Sequence, residues 1–72
     1  MKFWLVHVRC VQEPDARGIP PMCYEDCIVE AEDSASAMQI GRDFIACDAP
    51  LDIRWAEFEA LSASSIKLPV HI

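Results

Sequence analysis

Positive charge is scarce in this sequence. Six Lys and Arg stand against twelve Asp and Glu in 72 residues, giving a formal net charge of -6 and a sequence pI near 4.6. Affinity for phosphate backbones comes mainly from clustered Lys and Arg, so direct nucleic-acid binding is excluded, and acidic membrane surfaces are disfavoured for the same reason. Long apolar runs are also missing. The opening stretch from Phe3 to Val8 is interrupted by His7 and followed by Arg9, too short and too broken for a signal peptide or a membrane span. Neither a phosphate loop, a dinucleotide fingerprint nor a calcium loop is present. The expected location is therefore the cytoplasm, where Cys10, Cys23, Cys27 and Cys47 are read as thiols. With no internal repeat and no linker, residues 1–72 are expected to form a single domain.

What the chain does have is apolar residues: 53% are hydrophobic and 25% charged, too apolar a balance for intrinsic disorder. A packed core is expected, but a small one. Below roughly 70 to 80 residues one core seldom supplies more than a few kcal/mol, so a staple, a metal or a second subunit becomes useful.

Hydrophobic periodicity gives the elements. Trp4, Val6, Val8 and Cys10 alternate within a β-branched and aromatic run from Lys2 to Gln12, which predicts a central strand. Glu13 to Pro21 holds three prolines and a glycine and reads as a long hairpin loop. Met22 to Glu32 alternates again, with Cys23, Cys27, Val29 and Ala31 on one side and Tyr24, Asp26, Ile28, Glu30 and Glu32 on the other. Asp33-Ser34 offers an N-cap, and Ala37, Met38, Gly41, Phe44 and Ile45 recur at helical spacing as far as Cys47. Gly41 in that stripe costs about 1 kcal/mol relative to Ala, which close approach of the helix to a sheet would explain. Asp48-Ala49-Pro50 ends the helix.

A third strand fits Asp52 to Leu61, with Ala56, Phe58 and Ala60 on one face and Trp55, Glu57 and Glu59 on the other. Ser62 to Ser65 reads as a turn. Ile66 to Ile72 alternates and holds Pro69, so a fourth strand there belongs at an edge. The expected fold is α+β: a small antiparallel sheet of three or four strands in β-β-α-β order, strand order 2-1-3, with one helix packed on one face.

No residue pattern calls for catalysis. His7 and His71 are not placed beside a nucleophile and a carboxylate, and so small a sheet leaves little room for a cleft. Enzymatic activity and cofactors are not expected. Cys23 and Cys27 resemble half of a zinc site, but on a regular strand their α-carbons lie roughly 13 Å apart, so no metal site is assigned. Buried or half-buried thiols are expected instead, Cys10 and Cys47 as small core residues. A hairpin disulfide from Cys10 is the oxidised alternative.

The carboxylates carry more information. Between Arg17 and Arg42 there is no Lys or Arg, and Glu25, Asp26, Glu30, Glu32 and Asp33 supply five negative charges there. The candidate partner-binding set is Glu25, Asp26, Glu30, Glu32, Trp55, Glu57 and Glu59, with Trp55 as an apolar anchor in an acidic field. Such a surface steers association with a basic partner. Alternatively, it is a solvated face that keeps the protein soluble, and the sheet's face or edge serves self-association into a structural module or homodimer.

With Lys2 to Arg9 as first strand, Ile28 to Glu32 as second, a helix opening at Ser34-Ala35-Ser36-Ala37 and Ile53 to Phe58 as third, the build resembles small phage-encoded proteins. It is similar in size, acidity and element order to anti-CRISPR inhibitors. That resemblance is one of build and rests on no diagnostic motif. It implies a non-enzymatic inhibitor in the host bacterial cytoplasm that binds a larger protein or complex, such as a Cas effector, over its nucleic-acid surface.

Overall fold

In a computed structural model, the structure describes residues 2–67. The elements follow in the order β1 (Lys2–Gln12), β2 (Met22–Ala31), α1 (Ser34–Asp48) and β3 (Trp55–Ile66). The strands form one antiparallel sheet in the order β2-β1-β3, the expected α+β architecture. The expected fourth strand falls mainly on residues 68–72, outside the described residues; Ile66 is the last residue of β3.

Alternation along β1 divides the sheet into two faces. Val6 and Val8 are fully buried and Cys10 nearly so. With Val29 and Ala31 of β2 and Ala37 of α1 they make the core. The odd-numbered residues of β1 point to the opposite face, which no described element covers.

What holds α1 to the sheet is a close contact rather than a thick apolar layer. Its buried residues are Ala37 and Gly41, with Ile45 next on the same stripe packed against the core. A Cβ placed on Gly41 would lie 2.6 Å from Cγ1 of Val6, inside any tolerable contact, so glycine is required by proximity. The Cys27 thiol donates to the Gly41 carbonyl at 3.7 Å, and Arg42 Nε donates to the Phe58 carbonyl at 2.8 Å, joining the helix to both outer strands. The helix begins where Asp33 caps it, its side chain accepting from the Ser36 N–H at 2.8 Å. That hydrogen bond holds the Asp33 carboxyl below its ordinary value of 3.8.

Two expectations are corrected. Phe44 is 58% exposed, because the 37/41/45 stripe is narrow and Phe44 lies to one side of it. Ser62 to Ser65 is strand, not turn: β1 is 11 residues long, and its N-terminal half needs a partner, supplied by Ser62 opposite His7 and Ser64 opposite Leu5. Ladder pairing outweighs the local preference of serine for turns. The long β3 then follows β1 by means of two register shifts. Val11 pairs with Glu57 but Gln12 with Trp55, and Val8 pairs with Ala60 but His7 with Ser62, so Ala56 and Leu61 are the extra residues of two bulges.

The hairpin loop is locally ordered. Asp15 accepts from the backbone N–H groups of Arg17 and Ile19 at 2.8 and 3.3 Å, and Gly18 takes a φ of 79° that suits glycine. The backbone donors draw the Asp15 carboxyl below 3.8.

Gly41→Ala is expected to destabilise the fold by about 1–3 kcal/mol, the range for overpacking a tight contact, despite the better helix propensity of alanine. Chemical denaturation measures it, and an unchanged or increased stability would show that α1 does not sit on Val6.

Candidate functional surface

The face opposite α1 can be written as a grid from the strand register. Across β2, β1 and β3 the rows run Glu30, Phe3, Ile66; Ile28, Leu5, Ser64; Asp26, His7, Ser62; Tyr24, Arg9, Glu59; and Met22, Val11, Glu57. Directly opposed residues of antiparallel strands share a face, so these fifteen positions form one surface. Its apolar side chains are far from buried: Ile28 is 57% exposed, Tyr24 and Met22 are each 55% exposed, and Leu5 is 39% exposed.

The centre of the grid is polar and internally paired. Arg9 makes an ion pair with Glu59, and His7 Nδ1 hydrogen-bonds Asp26 Oδ1. The Tyr24 ring stacks on His7 with centroids 5.3 Å apart and planes 3° from parallel. Among the described residues Arg9 Nε is buried without a hydrogen-bond partner. The ends of the grid are apolar, with Phe3, Leu5, Ile28 and Ile66 at one and Met22 and Val11 at the other. Each end carries one carboxylate that has no ion-pair partner among the described residues, Glu30 and Glu57 respectively.

The expected site residues are thus divided. Asp26, Glu30, Glu57 and Glu59 share the uncovered face, but Glu59 is neutralised by Arg9. Glu25 is opposite Val8 and so belongs to the helix side, while Glu32 lies beyond the end of β2. Trp55 is the clearest correction. The bulge at Ala56 reverses the alternation, so Trp55 pairs with Gln12 and turns to the helix side. There it packs against the core and against Phe58 with ring centroids 5.2 Å apart. Its indole N–H donates to the Pro50 carbonyl at 3.1 Å. Trp55 closes the core where α1 ends and does not anchor the acidic face. Tyr24, Ile28, Met22 and Leu5 occupy the exposed apolar positions instead. Period-two alternation of β2 already placed Tyr24 and Ile28 there, and the register extends the same face to Met22 and, on β1, to Leu5.

Each arginine has a carboxylate neighbour: Arg9 with Glu59, Arg17 with Asp15, Arg42 with Asp43 and Arg54 with Glu13. The excess negative charge therefore falls on residues such as Glu25, Glu30, Glu32, Asp48 and Glu57, spread around the molecule rather than gathered in one patch.

On the helix side, a cavity of about 140 Å³ opens between the sheet and the end of α1, bordered by Cys10, Cys23, Glu25, Asp48, Trp55 and Phe58. Cys10 and Cys23 are directly opposed on β1 and β2, and all four cysteines are free thiols. Burial, with the neighbouring Cys23 and Glu25, pushes the Cys10 thiol up to about 11. Burial and then Asp26 raise that of Cys27. Cys47, expected in the core, is exposed, because it follows Ile45 by two residues and leaves the buried stripe. Among the described residues no three His, Cys, Asp or Glu side chains converge to hold a metal ion. No helix there is long and apolar enough to cross a membrane.

Comparison with known proteins found no matching family model, no similar curated protein and no similar solved structure.

Thiol alkylation at pH 8 is expected to modify Cys47 first and Cys10 last, since a pKa of about 11 leaves about one Cys10 in a thousand as thiolate. Peptide mass spectrometry after partial labelling reads the order. Early modification of Cys10 in folded protein would contradict the burial described for β1.

Proposed function

We propose that this chain is a non-enzymatic binding protein that works in a bacterial cytoplasm, docking its uncovered sheet face on a larger protein and occluding a basic, nucleic-acid-binding surface. The observation that carries this reading is the combination on one face of half-exposed Ile28, Tyr24, Met22 and Leu5 with Glu30 and Glu57, which have no ion-pair partner among the described residues, at its two ends. Apolar anchors supply most of an interface's energy, and a charged rim selects and steers the partner. A partner with basic groups matches both those carboxylates and the net charge of -6. The resemblance in build to anti-CRISPR inhibitors points the same way, toward a nucleic-acid-guided effector as target.

Glu30 and Glu57 are the charged contacts, Ile28 and Tyr24 the apolar ones, and Asp26 and Glu59 act through His7 and Arg9 by keeping the centre of the face rigid. Glu25, Glu32 and Trp55 have no part in this surface.

Replacing Glu30 and Glu57 together by Lys is expected to weaken capture of the partner from bacterial lysate by more than about tenfold, with the thermal melt unchanged. Mass spectrometry should identify the captured protein as a nucleic-acid binder, and the wild-type chain should displace its nucleic acid. Capture that survives the double reversal, or a partner that keeps its nucleic acid, would refute the reading.

A further inference from the structure

The two edges of the sheet are not equivalent. β2 carries Glu25, Asp26 and Glu30 along its length, so pairing this edge with another copy of itself would bring carboxylates together, the usual device that keeps an edge strand solitary. β3 carries Glu57 and Glu59 in its first half, but from Ala60 to Ile66 it has neither a charge nor a proline.

Hydrogen bonding shows which backbone groups of β3 face outward. The Gln12 N–H donates to the Pro21 carbonyl on the β2 side, and the Glu13 N–H donates to the Arg54 carbonyl on the β3 side. Antiparallel ladders alternate, so even-numbered residues of β1 bond toward β2 and odd-numbered residues toward β3. The β3 partners of even-numbered residues therefore turn their N–H and C=O groups away from the sheet. They are Phe58 opposite Cys10, Ala60 opposite Val8, Ala63 opposite Val6 and Ser65 opposite Trp4. Arg42 from α1 already occupies the Phe58 carbonyl, which closes the charged half of this edge. Among the described residues nothing bonds the outward groups of Ala63 and Ser65.

We propose that the segment Ser62–Ile66 of β3 is a self-association edge, pairing antiparallel with the same segment of a second copy about a two-fold axis to give a continuous six-stranded sheet. The occupant is a second copy because the segment is self-complementary. Across a two-fold axis an uncharged stretch meets an uncharged stretch, whereas the other edge of this chain of charge -6 opposes carboxylate to carboxylate. The joint is also accessible. The side chains that stand beside it on the helix side, Ala63 and Ser65, are small. Both helices then lie on one side of the dimer. On the other, the two uncovered faces merge into a single surface twice as wide.

The test uses the whole chain. Light scattering is expected to give twice the 8.1 kDa mass of one chain, and hydrogen exchange should show the Ala63 and Ser65 amides protected at concentrations where the dimer forms. Ala63→Pro removes an outward N–H that the internal ladder does not use, so it should halve the mass while the circular dichroism spectrum is retained. Ser65→Pro is the second variant and should behave alike. A wild-type chain that is monomeric at every concentration would overturn the proposal. So would a dimer whose Ala63 and Ser65 amides exchange freely, or one that persists in either folded proline variant.

Discussion

The contact between Gly41 and Val6 is the constraint on which the rest of this structure depends. A helix whose buried residues are only Ala37 and Gly41 cannot hold a sheet through bulk, so it must approach closely enough for the backbone of α1 to rest on the centre of β1. Only glycine at position 41 permits that approach. The contact decides which face of the sheet becomes interior. Once α1 lies over the even-numbered residues of β1, Phe3, Leu5, His7, Arg9 and Val11 must look outward. So must their β2 neighbours Met22, Tyr24, Asp26, Ile28 and Glu30. One helix cannot cover both faces of three strands, and the second face is left apolar at its ends and polar at its centre.

That division gives the net charge its meaning. Four of the six Lys and Arg residues are arginines with carboxylate neighbours, and Arg9 and His7 tie together the three strands across the middle of the uncovered face. Exposed ion pairs contribute little stability; here they fix the positions of side chains on a flat surface. On the uncovered face, the two carboxylates without a cation partner among the described residues, Glu30 and Glu57, mark its ends. The proposed docking surface and the proposed self-association edge are compatible, because one uses side chains normal to the sheet and the other uses backbone groups in its plane.

Most of the fold was legible because its signals are local and regular. The alternation of Trp4, Val6, Val8 and Cys10, the cap at Asp33, the proline after Ala49 and the unexplained Gly41 each announce a single physical requirement, and the structure meets each one. The parts that were not legible involve register. A bulge adds one residue and reverses every side chain beyond it, and no local feature of Ala56 or Leu61 announces one. The reversal at Ala56 carries Trp55 into the core. The continuation of β3 through four residues that look like a turn comes from the length of β1, which is a tertiary demand. Of the expected binding residues, those on the regular stretches of β2 and β3 lie where alternation puts them. Glu25, Glu32 and Trp55 fall outside the face for reasons of parity, strand length and register.

The most direct test of the two-faced sheet is the accessibility of its methyl groups to a neutral, water-soluble nitroxide, measured by NMR line broadening on the free chain. The account predicts strong broadening of the methyl signals of Leu5, Ile28 and Met22, with those of Val6, Val8 and Val29 little affected. Equal protection of both sets would mean that the face opposite α1 is covered, and that it cannot serve as a docking surface in the form described.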